Sequence, residues 1–233
     1  MAAAAAAESV PVPVVTNHAA ARYQAVEGQF PGLARENDVP PIWSVRGFLS
    51  PAECEQLMEA ARAQLKRSIV VDGRAGKSAA PSRTSESCYL AKGAGAEAGK
   101  HPTAWLNERV SRLLPGKPAS THEPTQVARY LPGQFYRAHF DAFDVTTGPG
   151  RECLLTGGQR VATVLIYLND VAEGGGTFFP ELAKRFRPEA GKAVVFFPTA
   201  NDGELDKLAL HCAEDAVAEK WVAQIWVRER SFG

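Results

Sequence analysis

The chain of 233 residues is short of several things. It has only four cysteines, Cys54, Cys88, Cys153 and Cys212, scattered and never in a C-x-x-C pair. That argues against a zinc ribbon and against a disulfide-stapled mini-fold. It has no net charge, since 26 Lys plus Arg balance 26 Asp plus Glu. No global basic field therefore draws it to nucleic acid or to an anionic membrane. No apolar run approaches the ~18 residues needed to span a bilayer. The start, Met1 to Glu8, is an alanine run without a basic end or a leucine stretch, a poor match to a secretory signal. With few cysteines and no such signal, the expected compartment is the cytoplasm or an organelle interior. What the chain does have is apolar residues, 45% against 22% charged, enough for a sizeable core.

Residues 1–38 read as a flexible tail, because they hold an alanine run and a Val-Pro stretch without sustained periodicity. Residues 39–233 read as a single domain, with an N-terminal helical and strand region over 39–120 and a β-rich core over 121–233. Ile42 to Arg46 is a short β-like stretch. Ser50-Pro51-Ala52-Glu53 is a helix start with a cap, a first-turn proline and the glutamate of a capping box. Cys54, Leu57, Met58, Ala61 and Leu65 follow at helical spacing. A second helix is expected over 102–114, and short strands over 68–71 and 87–90. Loops are expected over 72–82 and 91–100. From Thr125 the pattern turns to strands over 125–131, 161–168, 177–179, 193–197 and 221–227, broken by Pro and Gly signals such as Gly174 to Gly176. Helices followed by many short strands suggest a mainly β fold, a sandwich or jelly roll with helices packed outside.

The sharpest chemical signal is His139-Phe140-Asp141. In an extended chain residues i and i+2 face the same way, so an imidazole and a carboxylate converge. Of the other four histidines, His18 lies in the tail, and His101 and His122 precede the strand block. His211 stands beside the last strand, where a closed two-sheet fold could return it to the same site. Two histidines and one carboxylate are the donor set of non-haem Fe(II), with positions left open for substrates. The plainer alternative is a surface His-Asp pair with an unrelated loop histidine.

The surrounding residues resemble the prolyl 4-hydroxylase-type 2-oxoglutarate dioxygenases. The resemblance rests on Gln126 to Asp141, on Gly157 to Asp170 followed by Gly174-Gly-Gly-Thr177-Phe-Phe-Pro180, and on His211 with Lys220-Trp221 opening the last strand. Upstream, Gly47 to Cys54 and Arg83-Thr-Ser85 match too. The likeness runs in order over about residues 40–230. It departs at one place, where Lys220 follows His211 one residue sooner than the family's usual spacing.

The resemblance implies a double-stranded β-helix (jelly roll) holding Fe(II) through His139, Asp141 and His211, with 2-oxoglutarate and O2 as cosubstrates and ascorbate to re-reduce the iron. Lys220 would pair with the distal carboxylate of 2-oxoglutarate, and the hydroxyls of Tyr130 and Thr177 would bond it. Arg228 rivals Lys220 because it shares strand parity. Eight residues separate them, roughly 26 Å at strand rise, so both cannot hold one diacid; motif position favours Lys220. The implied reaction is hydroxylation of a carbon centre, above all a prolyl residue in a peptide or protein. A small-molecule hydroxylase of the same mechanism is the first alternative. A non-catalytic peptide-binding β-sandwich and a zinc hydrolase are the others, and the absence of an H-E-x-x-H pair counts against the last. For the substrate, Arg83, Arg160 and Trp226 are the expected contacts, beside long loops over 72–85 and 143–159. Arg160 could instead make a structural salt bridge.

Overall fold

The structure, a computed structural model, describes residues 22–72, 76–91 and 102–231. The alanine-rich start and most of the expected 91–100 loop lie outside the described residues. In chain order the elements are β1 (Leu33–Asn37), β2 (Ile42–Val45), α1 (Pro51–Arg62), β3 (Lys66–Arg67), β4 (Val70–Asp72), β5 (Gly76–Ser78), β6 (Glu86–Tyr89), α2 (Pro102–Leu113), β7 (Gln126–Tyr130), β8 (Tyr136–His139), α3 (Gly148–Leu155), β9 (Arg160–Tyr167), β10 (Thr177–Phe179), β11 (Lys184–Phe186), β12 (Ala193–Phe196), β13 (His211–Ala213) and β14 (Lys220–Arg228). One sheet has eight strands in the order β1-β2-β12-β9-β14-β7-β6-β3 and a second has four, β11-β10-β13-β8. The pairings are antiparallel throughout. A long sheet of non-consecutive neighbours facing a short one is the jelly-roll arrangement.

Strand parity sorts the two faces of the large sheet. On β14, Trp221, Ala223, Ile225 and Val227 join a core with Cys54, Leu57 and Ala61 of α1 and Leu106, Val110 and Leu113 of α2. The alternate residue Val222 joins a second core with Tyr130, Leu165, Tyr167, Phe179 and Phe196, between the sheets. The polar inward positions of these same strands, among them Lys220, Gln224 and Thr163, are free to build a site. α1 starts as its sequence requires: Glu53 N–H donates to Ser50 Oγ, and Ser50 N–H donates to Glu53 Oε2 at 2.8 Å. Glu53 also takes two bonds from Arg109 of α2, which ties the helices together and holds its carboxyl below the usual range.

Three expectations need correction. Residues 22–38 belong to the body, not to the tail. β1 pairs with β2, and Tyr23 is buried with its hydroxyl on Asp206. Composition hid this because β1, Leu-Ala-Arg-Glu-Asn, is an edge strand with an exposed middle. The 72–85 segment is not wholly loop, since β4 and β5 form an antiparallel hairpin. The 143–159 segment contains α3. Its Gly148-Pro-Gly150 start looks like a turn, but Thr147 caps it by accepting from Gly150 N–H, and Pro149 suits a first helical turn. Its last carbonyls are gathered by a buried side chain from another element, Arg228 of β14, which donates to Cys153 O and Thr156 O. No local pattern announces that partner.

Candidate metal centre and its two cavities

His139 and His211 are cross-strand partners on β8 and β13. Their ring centroids lie 4.3 Å apart. Asp141 follows β8 directly, with Oδ1 3.7 Å from His139 Nε2 and Oδ2 3.8 Å from His211 Nε2. One ligand atom from each of the three residues falls within 4.8 Å of the others. Both imidazoles are held the same way. Nδ1 of His139 faces the carbonyl of Arg137 at 2.9 Å, and Nδ1 of His211 faces that of Ala209 at 3.0 Å. A carbonyl only accepts, so each Nδ1 carries the proton and each Nε2 turns a lone pair toward the shared centre.

Electrostatics agree with this donor set. Burial, with His211 beside it, pushes His139 down to about 3, which keeps the ring neutral. Burial alone would raise the carboxyl of Asp141. His211, His139, Arg160 and Thr163 outweigh that and hold it below its ordinary value, as carboxylate. Two imidazole nitrogens and one carboxylate fit Fe(II).

Asp141 is positioned by residues the sequence reading did not single out. Thr163 Oγ1 donates to Asp141 Oδ2 at 2.7 Å, and Gln224 Nε2 donates to the same oxygen at 3.3 Å. Both sit at inward positions of β9 and β14. A polar residue sharing the parity of Leu165 or Lys220 was the signal available for them.

Lys220 lies behind the centre. It pairs across β7–β14 with Tyr130, its ammonium stands 4.4 Å from the Tyr130 ring centroid, and it donates to Gly175 O at 2.6 Å. Thr177, Tyr130, Lys220 and His211 line one small cavity. Gly175 has φ +62°, and a Cβ there would come within 3.1 Å of Lys220 Cδ. The glycine run is thus a turn that leaves room for the lysine stem. Burial pushes the Lys220 ammonium down to about 7, with Glu214 and Cys212 offsetting only part. Tyr167, also missed in the sequence, bonds Thr177 Oγ1 at 2.7 Å and Phe186 O at 3.0 Å. Arg228, the rival of Lys220, is at the other end of β14. Its Nη1 donates to Glu123 and its Nε to Gly158 O.

On the other side of His139 lies a cavity of about 670 Å³, walled by Arg83, Tyr89, Phe143, Arg160, Leu205 and Trp226. Arg160 makes the salt bridge weighed above. Its Nε and Nη2 each donate to Glu123 at 2.7 Å, and its Nη1 reaches Asp141 O at 3.2 Å. Its guanidinium also lies 3.8 Å from the Trp226 ring centroid. It therefore braces Asp141 and the Trp226 wall while facing the cavity. Burial would raise the carboxyl of Glu123, but Arg160 and Arg228 hold it below the usual value. Glu123→Gln removes the anion shared by buried Arg228 and half-buried Arg160, and the expected loss of stability is about 3–5 kcal/mol, read by urea unfolding. The contribution of Glu123 is present above the ordinary glutamate pKa of about 4.3 and is lost as pH falls through its lower folded value.

The profile of the 2OG-Fe(II) oxygenase superfamily matches residues 125–228, the stretch that carries all three candidate ligands and Lys220. Prolyl 4-hydroxylase 1 of Arabidopsis thaliana is 36% identical over 207 residues, covering 82% of this chain and 70% of that protein. Prolyl 4-hydroxylase 2 of the same plant is 33% identical over 217 residues, covering 83% and 69%. Among solved structures, the viral collagen prolyl hydroxylase of Paramecium Bursaria Chlorella virus-1, in its 2OG complex, superposes with a TM-score of 0.56. It is 27% identical and covers 80% of this chain and 95% of its own. This chain belongs to the prolyl 4-hydroxylase-type 2-oxoglutarate- and Fe(II)-dependent oxygenases, enzymes that use iron, 2-oxoglutarate and O2.

Proposed function

We propose that the chain hydroxylates a prolyl residue in a peptide or protein. In this reading His139, Asp141 and His211 hold Fe(II), while Lys220, Tyr130 and Thr177 hold the far carboxylate of 2-oxoglutarate. The observation that carries it is that the two cavities share a wall. His139 and Tyr136 line both the small cavity of Lys220 and the large one of Arg83 and Trp226. A cosubstrate in one and a substrate in the other would meet at the metal ligand. When bound, iron and 2-oxoglutarate supply the chemistry that activates O2, with succinate and CO2 as coproducts.

The chain's own residues bind, orient and exclude water. Tyr136 stacks on the His139 ring at 3.5 Å between centroids, which fixes the ring's plane. Phe179 and Phe196 flank His211 and keep that side dry. In the large cavity Arg83 is buried, with Nε on Ser85 Oγ and Nη2 on Gln126 Oε1. Among the described residues its Nη1 has no protein acceptor. The buried Trp226 Nε1–H likewise has none among them. The Arg83 donor without an acceptor suits a backbone carbonyl of a peptide, and the Trp226 wall suits a proline ring. The prolyl substrate in the relatives' names supports the same assignment.

The test incubates the chain with proline-rich peptides, Fe(II), 2-oxoglutarate and ascorbate, and maps products by tandem mass spectrometry. A +16 Da product on a prolyl residue is expected. Trp226→Ala is expected to raise the peptide KM about tenfold, the loss of a buried aromatic contact, with 2-oxoglutarate affinity unchanged. Turnover of small molecules with all peptides inert would favour the small-molecule alternative.

The lowered Lys220 ammonium makes cosubstrate binding pH-dependent. A carboxylate partner favours the charged form, so above pH 7 binding must take up a proton, and affinity falls by up to about tenfold per pH unit. Below pH 7 the lysine is already charged and this dependence vanishes. Calorimetry of 2-oxoglutarate binding at pH 8, in buffers of different ionisation enthalpy, counts the proton; zero uptake would contradict a neutral resting lysine.

A further inference from the structure

The loop that runs from β12 to His211 has two duties. Its outer turn brings Gly203 and Leu205 to the large cavity. Its inner turn, Lys207–Ala209, ends in the carbonyl of Ala209 that orients His211 Nδ1. Asp206 stands between the two. Its N–H donates to Pro198 O at 3.0 Å, its Oδ1 accepts from Leu208 N–H at 2.9 Å, and its carbonyl accepts from Ala209 N–H at 3.0 Å. Its other carboxylate oxygen accepts from the hydroxyl of Tyr23 at 2.5 Å, from 183 residues away in sequence.

Tyr23 is itself held. Its ring lies 5.8 Å from that of Phe197, Arg22 O accepts from Asn201 N–H, and Gln24 and Glu27 bond the carbonyls of Pro115 and Leu113 at the end of α2. A short N-terminal segment thus bridges α2 and the loop that delivers a metal ligand. The hydroxyl of Tyr23 is the one polar group of that ring, and both Tyr23 and Asp206 are buried. Removing the hydroxyl leaves a carboxylate oxygen without its donor at the hinge between the two turns.

We propose that Tyr23 is a positioning residue, acting through Asp206 to set both the orientation of His211 and the Leu205 edge of the substrate cavity. The inference rests on the reading of His139, Asp141 and His211 as a metal centre.

The test titrates Co(II), as a spectroscopic stand-in for Fe(II), into the full chain and into Tyr23→Phe, Asp206→Ala and Asp206→Asn. It follows the d–d absorption and is done at a temperature where circular dichroism shows each variant folded. Tyr23→Phe and Asp206→Ala are each expected to weaken Co(II) binding about three- to tenfold, at or below the range for partners that orient a ligand. Each should also raise the peptide KM by a similar factor. Asp206→Asn can still accept from Leu208 N–H and donate to the phenol, so it should lie closer to the parent than Asp206→Ala does. If both variants merely melt earlier while Co(II) affinity and peptide KM stay at the parent's values, the inference is overturned. If the parent chain itself fails to bind Co(II), the metal-centre reading falls, and this inference with it.

Discussion

Replacing His211 by glutamine is expected to remove iron from the chain and abolish hydroxylation while leaving the fold intact. His211 is buried between Phe179 and Phe196, so alanine would open a hole beside two aromatic rings. Glutamine fills much of that volume but cannot put a nitrogen lone pair where Nε2 stands. With two donors left, Fe(II) affinity should fall by more than about 100-fold, beyond the range seen when only an outer partner is lost. His139→Gln should behave alike, since its Nε2 has the same role on the facing strand. Inductively coupled plasma measurement of bound metal, alongside far-UV circular dichroism, checks both halves of the expectation. A His211→Gln chain that still binds one iron and turns over at the parent's rate would remove His211 from the site.

The second large effect is expected at Lys220. Its ammonium is buried, with its one hydrogen bond among the described residues going to a carbonyl, and burial already draws it toward the neutral form. A bound dicarboxylate would give it a counter-charge inside the protein. Lys220→Ala then leaves that carboxylate unpaired, at a cost of about 2–5 kcal/mol. That is roughly 30- to 4000-fold in 2-oxoglutarate affinity. Thr177→Val and Tyr130→Phe each remove one hydrogen bond and should cost about 1–2 kcal/mol. Arg228→Ala is the control. It breaks the links to Glu123 and to the end of α3, so it should lower stability and leave 2-oxoglutarate affinity near the parent value. A large affinity loss at Arg228 with none at Lys220 would reverse the roles assigned to the two ends of β14.

Much of the fold was legible in the sequence because it is written in local patterns. The cap at Ser50 and the helical spacing from Cys54 to Ala61 name a helix and its buried face, and the β-rich composition of β9 and β14 names two strands. The grouping of the three candidate metal ligands was legible for a mixed reason. His139-x-Asp141 is a local signal, whereas His211 became a candidate by elimination and through the resemblance; only the β8–β13 register brings it opposite His139. The shortened spacing before Lys220 proved harmless to register, since Lys220 still pairs with Tyr130. What stayed hidden depends on partners far away in the chain. Arg228 closing α3, Tyr23 holding Asp206, and Thr163 with Gln224 on Asp141 join elements 22 to 183 residues apart. A loop-like sequence such as 143–159 becomes a helix when such a partner takes its free carbonyls.

The central claim is that one site holds iron and 2-oxoglutarate together. Calorimetric titration of 2-oxoglutarate under argon, into the chain loaded with one equivalent of Fe(II) and into the metal-free chain, tests it most directly. The account predicts one 2-oxoglutarate per iron-loaded chain, far weaker binding without metal, and loss of the iron-dependent signal in His211→Gln. Equal binding with and without iron, or none in either, would contradict it.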